Sequence, residues 1–115
     1  MSELQAIVRF KFYEGKLEEF KRLSAECLEI VRAKDPGTLQ YDTFLNHDES
    51  EAIVIERFRD SAALIEHHQN LVHLMEAITA TGECTGELLG EPTDELAANF
   101  EDGGVPQLFR PFQVM

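Results

Sequence analysis

Histidines are the side chains of this sequence that exchange a proton most readily near neutral pH, and the chain has four: His47, His67, His68 and His73. A neutral imidazole can act as a general base, for example by removing the proton of a phenol or quinol. His67 and His68 lie in a segment with helical periodicity, whereas His47 lies in a polar turn. We therefore take His67 and His68 as candidate catalytic residues.

A helical wheel of residues 61–81 predicts which of these histidines face the interior. It places His68 near the middle of the apolar stripe and His67 on its flank, while His73 faces solvent. For His67 and His68 alike, the alternative to catalysis is a structural histidine held by hydrogen bonds. The stripe itself is defined by four apolar side chains: Leu64, Leu71, Met75 and Ile78.

Other side chains are candidates for binding a substrate, and each also has a plainer interpretation. Tyr41, on a predicted strand, could orient a substrate oxygen or simply be a core or interface tyrosine. Glu56 and Arg57 follow an apolar strand, so one of them could point inward, or they could form an ion pair that fixes the strand end or the dimer. The aromatic side chains at strand spacing could wall a pocket or be ordinary core: Phe10, Phe12, Phe44 and Phe58.

Composition excludes several classes of function. The chain has 115 residues, enough for one domain spanning 1–115, and a net charge of -12 from 22 acidic and 10 basic side chains. Without a basic cluster we expect neither nucleic acid nor a membrane surface as partner. Two distant cysteines and the absence of HExxH or Gly-rich phosphate motifs predict no metal and no nucleotide cofactor. No targeting segment is apparent, so we expect a cytoplasmic protein.

The periodicity of apolar residues predicts the order β-α-β-β-α-β, with an interruption of the second helix near Asn70. This is the split βαβ pattern of a ferredoxin-like α+β fold, in which an antiparallel sheet carries both helices on one face. The core spans 5–91, and residues 92–115 form a C-terminal arm that begins with a short helix. The predicted strands are 5–12, 38–45, 52–58 and 83–90, and the predicted helices are 16–34 and 61–81.

Apolar residues on both sides of the third strand predict a homodimer. Ile53 and Ile55 alternate with Val54 and Phe58, so both faces of this strand require burial. One chain supplies helices for only one face, and a second copy would cover the other. The arm 92–115 is apolar and is expected to contact the partner subunit.

Three segments carry a resemblance to the antibiotic biosynthesis monooxygenase family. They are GKLEEF at 15–20, DPGTLQY at 35–41, and ERFRDSAAL at 56–64 followed by His67. Aligning from Asp60 matches the family histidine to His67, whereas the family's H-x4-H spacing selects His68 and His73. The resemblance implies a dimeric α+β barrel with a pocket between each sheet and its helices.

The same resemblance implies a function. Members oxidise quinol- or anthrone-like aromatics with O2 and no added cofactor, and the deprotonated substrate itself passes an electron to O2. We therefore expect a monooxygenase that acts on a small aromatic molecule. Two alternatives stay open: a non-catalytic, ligand-binding or stress-associated dimer, and a haem-degrading monooxygenase. The absence of tryptophan and of a basic patch disfavours the second alternative.

Overall fold

The structure, a computed structural model, describes residues 3–100 and 105–115. It confirms the predicted α+β, ferredoxin-like fold. The elements are β1 Leu4–Phe12, α1 Leu17–Lys34, β2 Thr38–Leu45, β3 Glu51–Phe58, α2 Ser61–Thr79, β4 Gly82–Leu89, α3 Asp94–Ala97, a 3-10 turn Ala98–Phe100 and β5 Gln107–Phe109. The strands form one sheet in the order β2-β3-β1-β4-β5. All neighbouring strands are antiparallel except β4 and β5, which are parallel.

Helix α2 begins at a side-chain cap and runs without a break. The Asp60 carboxylate accepts a hydrogen bond of 2.9 Å from the backbone N–H of Ala63, which satisfies one of the free donors of the first turn. The predicted interruption near Asn70 is wrong, because the helix is continuous from Ser61 to Thr79. No helix within residues 3–100 and 105–115 is long and apolar enough to cross a membrane.

The side chains between sheet and helices form two separate hydrophobic clusters. The larger cluster contains Phe10 and Phe20 and lies beneath α1 and the C-terminal half of α2. The smaller cluster contains Leu4, Phe58 and Leu88 and lies beneath the start of α2. The strand positions between the two ends of β1 hold smaller side chains, Ala6 and Val8, so the packing there leaves space.

No helix of residues 3–100 and 105–115 covers the opposite face of the sheet. Phe44 and Ile53 are cross-strand neighbours on this face, and they are 56% and 39% exposed. The apolar character does not extend over all strands, because β4 presents Glu83, Thr85 and Glu87 on this face. The apolar part of the face is therefore limited to β1, β3 and β2.

The C-terminal arm folds back onto its own sheet. Thr93 caps α3 by accepting a hydrogen bond from the backbone N–H of Leu96, and β5 pairs in parallel with β4. Beyond β5, Phe112 and Val114 are exposed. The contact of this arm with a partner subunit stays a prediction.

Candidate functional site

A cavity of about 630 Å³ lies between the sheet and the helices, where the two clusters meet. Its volume is within the range of small-molecule sites, which are mostly apolar with a few polar groups. Among the described residues that line it there is no lysine or arginine. The polar lining groups that face one another at its centre are Tyr41, Glu56 and His67.

The ring of His67 is held by a buried carboxylate at the end of α1. Nδ1 of His67 lies 2.6 Å from Oδ2 of Asp35, and both side chains are almost fully buried. Asn70, one helical turn after His67, donates to the other carboxylate oxygen of Asp35. Because a carboxylate oxygen only accepts hydrogen bonds, Nδ1 of His67 is the donor and Nε2 is left as an acceptor.

The loop after α1 places Asp35 beside His67 because it can approach α2 very closely. A side chain at Gly37 would put its Cβ 2.4 Å from Cβ of Ala63, so only glycine fits against the first turn of α2. Asp35 itself ends α1, since its backbone N–H donates to the carbonyl of Val31. The Asp-Pro-Gly sequence thus both terminates one helix and positions a carboxylate against the other.

Glu56 faces the same histidine from the sheet. On β3 it lies opposite Ala6 of β1 and Tyr41 of β2, so its side chain points into the cavity. Its Oε1 is 3.5 Å from Nε2 of His67. This distance exceeds that of a normal hydrogen bond, so both groups remain available to a ligand.

Burial sets the protonation of both groups. Desolvation raises the pKa of Glu56 to about 8, because the charged form loses its hydration. Burial also lowers the pKa of His67, an effect that the hydrogen bond and charge of Asp35 partly oppose. At neutral pH the cavity therefore holds a neutral imidazole, a base through Nε2, opposite a carboxyl group that retains its proton. Such a pair can remove one proton and supply another.

Aromatic side chains surround the histidine. The ring centroid of Phe58 is 5.0 Å from that of His67, and the centroid of Tyr41 is 5.5 Å away. The hydroxyl of Tyr41 lies near the thiol of Cys27. Burial raises the pKa of Tyr41, so this hydroxyl keeps its proton and can donate a hydrogen bond to a ligand.

The structure brings together some of the predicted site residues and separates others. His67, Tyr41, Phe10 and Phe58 all line the cavity. Phe44 does not line it and lies on the helix-free face of the sheet, next to Ile53.

The predicted positions of His68 and Arg57 need correction. His68 is exposed and borders the cavity at its edge, so its placement at the middle of the buried stripe is wrong. Arg57 lies on the helix-free face, outside the cavity. Its expected ion pair with Glu56 is also wrong: Arg57 contacts Glu3 at 2.9 Å and Gln40 at 3.1 Å.

Sequence reasoning missed Asp35 and Asn70, and it took Glu56 for half of an ion pair. The spacing of His67 and Asn70 was an available signal, because residues three apart on a helix share a face. Within the described parts of the chain, no group of three or more His, Cys, Asp or Glu side chains could hold a metal ion.

Comparison with known proteins agrees with this architecture. The model of the antibiotic biosynthesis monooxygenase family matches residues 4–80. The chain belongs to this family. A search of curated protein sequences finds no relative.

Several solved structures share this fold. MupZ from Pseudomonas fluorescens superposes with a TM-score of 0.82 and 24% identity, over 100% of this chain and 94% of that chain. Rv0793 from Mycobacterium tuberculosis gives 0.70 and 23%, over 81% of this chain and 97% of that chain. SnoaB from Streptomyces nogalater, described as a cofactor-independent oxygenase, gives 0.66 and 18%, over 76% and 91%. Only the first of these three matches extends over the whole chain.

Proposed function

We propose that this protein is a monooxygenase that needs no added cofactor and oxidises a small, uncharged, quinol- or anthrone-like aromatic with O2. The observation that carries the proposal is the facing pair of His67 and Glu56 inside a mainly apolar cavity. Family membership supports the reaction class. SnoaB, a structural neighbour, is itself described as a cofactor-independent oxygenase.

Each group in the cavity has a role in this reaction. Nε2 of His67 removes a proton from the substrate, and the resulting anion transfers an electron to O2. Recombination gives a hydroperoxide, whose O–O bond then breaks. In an anthrone-like substrate, a ring CH2 becomes C=O and the second oxygen atom leaves as water. Glu56 supplies a proton to that departing oxygen, and the apolar walls shield the intermediate from bulk water.

Asp35 acts on the substrate only through His67. By accepting the hydrogen bond from Nδ1 it fixes the tautomer in which Nε2 is the base, and it stabilises the imidazolium that forms. Tyr41 is positioned to donate a hydrogen bond to the substrate oxygen. The predicted partner of this site is thus a neutral aromatic molecule rather than an ion.

Oxygen consumption with a set of quinols and anthrones tests the proposal. We expect uptake with the unmodified protein and a loss of about 100-fold or more in His67→Ala, which lacks the base. His47→Ala is the matched control, because His47 lies in the exposed β2–β3 turn. Equal rates in both variants would contradict the role of His67.

The outcome without oxygen uptake is also informative. Binding of aromatics without any uptake would favour a non-catalytic ligand-binding protein. A Soret band that appears on titration with haem, and is lost in His67→Ala, would favour haem chemistry. Either result replaces the proposed function.

We also propose that the protein works as a homodimer formed through the helix-free face. The exposed pair Phe44 and Ile53 is an apolar patch that water would otherwise contact. Light scattering after gel filtration should give the mass of two chains for the unmodified protein and of one chain for Ile53→Lys. Val72→Lys is the control, since Val72 is exposed on α2. A monomeric unmodified protein at micromolar concentration contradicts the proposal.

A further inference from the structure

One wall of the cavity comes from outside the segment that the family model matches. That segment ends at residue 80, whereas the cavity is also lined by side chains of α3, of the turn that follows it and of the residues before β5. We call residues 94–100 and 105–109 the C-terminal wall. Its described members that line the cavity are Leu96, Asn99, Phe100, Val105 and Pro106.

The C-terminal wall is anchored on both sides of its cavity-lining residues. On the first side, Leu96 is 2% exposed and belongs to the smaller hydrophobic cluster, and the backbone N–H of Thr93 donates to Oγ of Ser61 at 3.0 Å. On the second side, β5 pairs with β4, and Leu108 packs against the same cluster. These contacts hold the wall against the domain.

Exposed lining residues beside the C-terminal wall mark an entrance to the cavity. They are His68 and Gln69 on α2, and Asn99 and Val105 on the wall; Thr79, at the far end of α2, is a further exposed lining residue. Phe100 is half-buried behind this rim and packs against the smaller cluster. Among the described lining residues of the wall, Phe100 has the largest side chain, so its ring takes up cavity space next to this rim.

We propose that the C-terminal wall determines specificity and that Phe100 limits the size of the ligand that can reach His67 and Glu56. The chemistry at these two residues rests on the proposed function, but the size limit concerns binding alone. The described lining has no lysine or arginine, and an anionic ligand would meet no cation there. The selected class is therefore a neutral aromatic with few fused rings.

Binding of a graded set of compounds tests this inference. Hydroquinone, 1,4-naphthohydroquinone and anthrone have one, two and three rings, and their affinities can be measured anaerobically by titration calorimetry. In Phe100→Ala we expect the affinity for anthrone to rise roughly tenfold relative to that for hydroquinone. Phe112→Ala is the matched control, because Phe112 is 93% exposed and does not line the cavity.

A second variant makes the opposite change, and it keeps the inference testable if Phe100→Ala does not fold. Val105 is 57% exposed at the rim, so Val105→Phe narrows the entrance without disturbing the core. We expect it to weaken anthrone binding while hydroquinone binding is unchanged. Thermal denaturation verifies that each variant is folded.

The outcomes separate this inference from the proposed function. Changed size selection without oxygen uptake by any protein supports the C-terminal wall and contradicts the oxygenase. Oxygen uptake with unaltered ring preference in both Phe100→Ala and Val105→Phe overturns the inference and leaves the oxygenase intact. Failure of all three compounds to bind any of the proteins overturns the ligand class and the inference with it.

Discussion

Glu56 and Arg57 are consecutive residues of β3, yet the two faces of the sheet give them opposite roles. Glu56 points into the cavity, where no described cation faces it and burial raises its pKa to about 8. Arg57 points to the helix-free face and pairs with Glu3 and Gln40 in contact with water. A buried charge without a counter-ion becomes neutral, whereas an exposed pair contributes little to stability. The alternation of one strand therefore separates a buried carboxyl group that retains its proton from an ordinary surface residue.

The largest expected effect is on activity. Glu56→Gln preserves shape but cannot transfer a proton, so we expect kcat/KM to fall about 100-fold at pH 7, while Arg57→Gln leaves it nearly unchanged. In the unmodified protein, activity should rise with pH below 6.5, as His67 loses its proton, and decline above about 8, as Glu56 loses its own. The decline above 8 should be missing in Glu56→Gln. Similar losses of kcat/KM in Glu56→Gln and Arg57→Gln would contradict the assignment of different roles to the two faces.

The pH dependence of stability is expected to show the same contrast. The folded-state pKa of Glu56 lies above its ordinary value of 4.5. Its contribution to the free energy of unfolding is therefore complete below pH 4.5 and is lost as pH rises through about 8. Glu56→Gln should therefore become more stable than the unmodified protein at pH 9, by a few kcal/mol. Urea denaturation at pH 5 and pH 9 measures this. Glu51→Gln, on the exposed start of β3, should show no such difference.

The partner of His67 can be tested in the same way. Asp35→Asn places an amide donor where the carboxylate accepts hydrogen bonds from His67 and Asn70. Leaving buried donors unpaired costs about 1–3 kcal/mol of unfolding free energy. Asp42→Asn, an exposed change on β2, should stay within about 0.5 kcal/mol. Chemical denaturation at pH 7 compares them, and equal stabilities would show that Asp35 is not held as described.

The smallest effect is expected on the helix-free face. Removing the exposed pair in Arg57→Gln should change the unfolding free energy by less than about 1 kcal/mol, because solvent screens its charges. A comparison of midpoints of urea denaturation at constant protein concentration measures this. A larger loss would mean that the proposed dimer interface extends along this face from Phe44 and Ile53 to Arg57.

The sequence predicted the fold well because local patterns decide it. Alternation in β1 and β3, the Asp60 cap and the three-to-four spacing in α1 each specify one element. The position of His68 was wrong for a physical reason. The predicted stripe included Leu64, but Ala63 is the buried residue of this turn, and it packs against Gly37. The buried stripe therefore keeps Leu71 and Ile78 but is displaced toward Ala63 and Leu74, which places His67 inside.

The candidate site was less predictable because its residues meet only through tertiary packing. His67 and Asp35 are 32 positions apart, and the loop that joins them in space depends on the Gly37–Ala63 contact. Likewise, no local pattern indicates that the C-terminal arm returns to its own β4 in parallel. Long-range pairing of this kind requires the structure.

The division of the core into two clusters has a consequence for how the protein responds to its substrate. A ligand between the two clusters contacts both of them and extends the hydrophobic core. The free energy of unfolding therefore increases with ligand concentration. The melting temperature thus reports directly on occupancy. Conversely, Ala6→Leu places a larger side chain on the cavity floor and would join the two clusters permanently. The domain would then be more stable to unfolding but unable to admit a ligand.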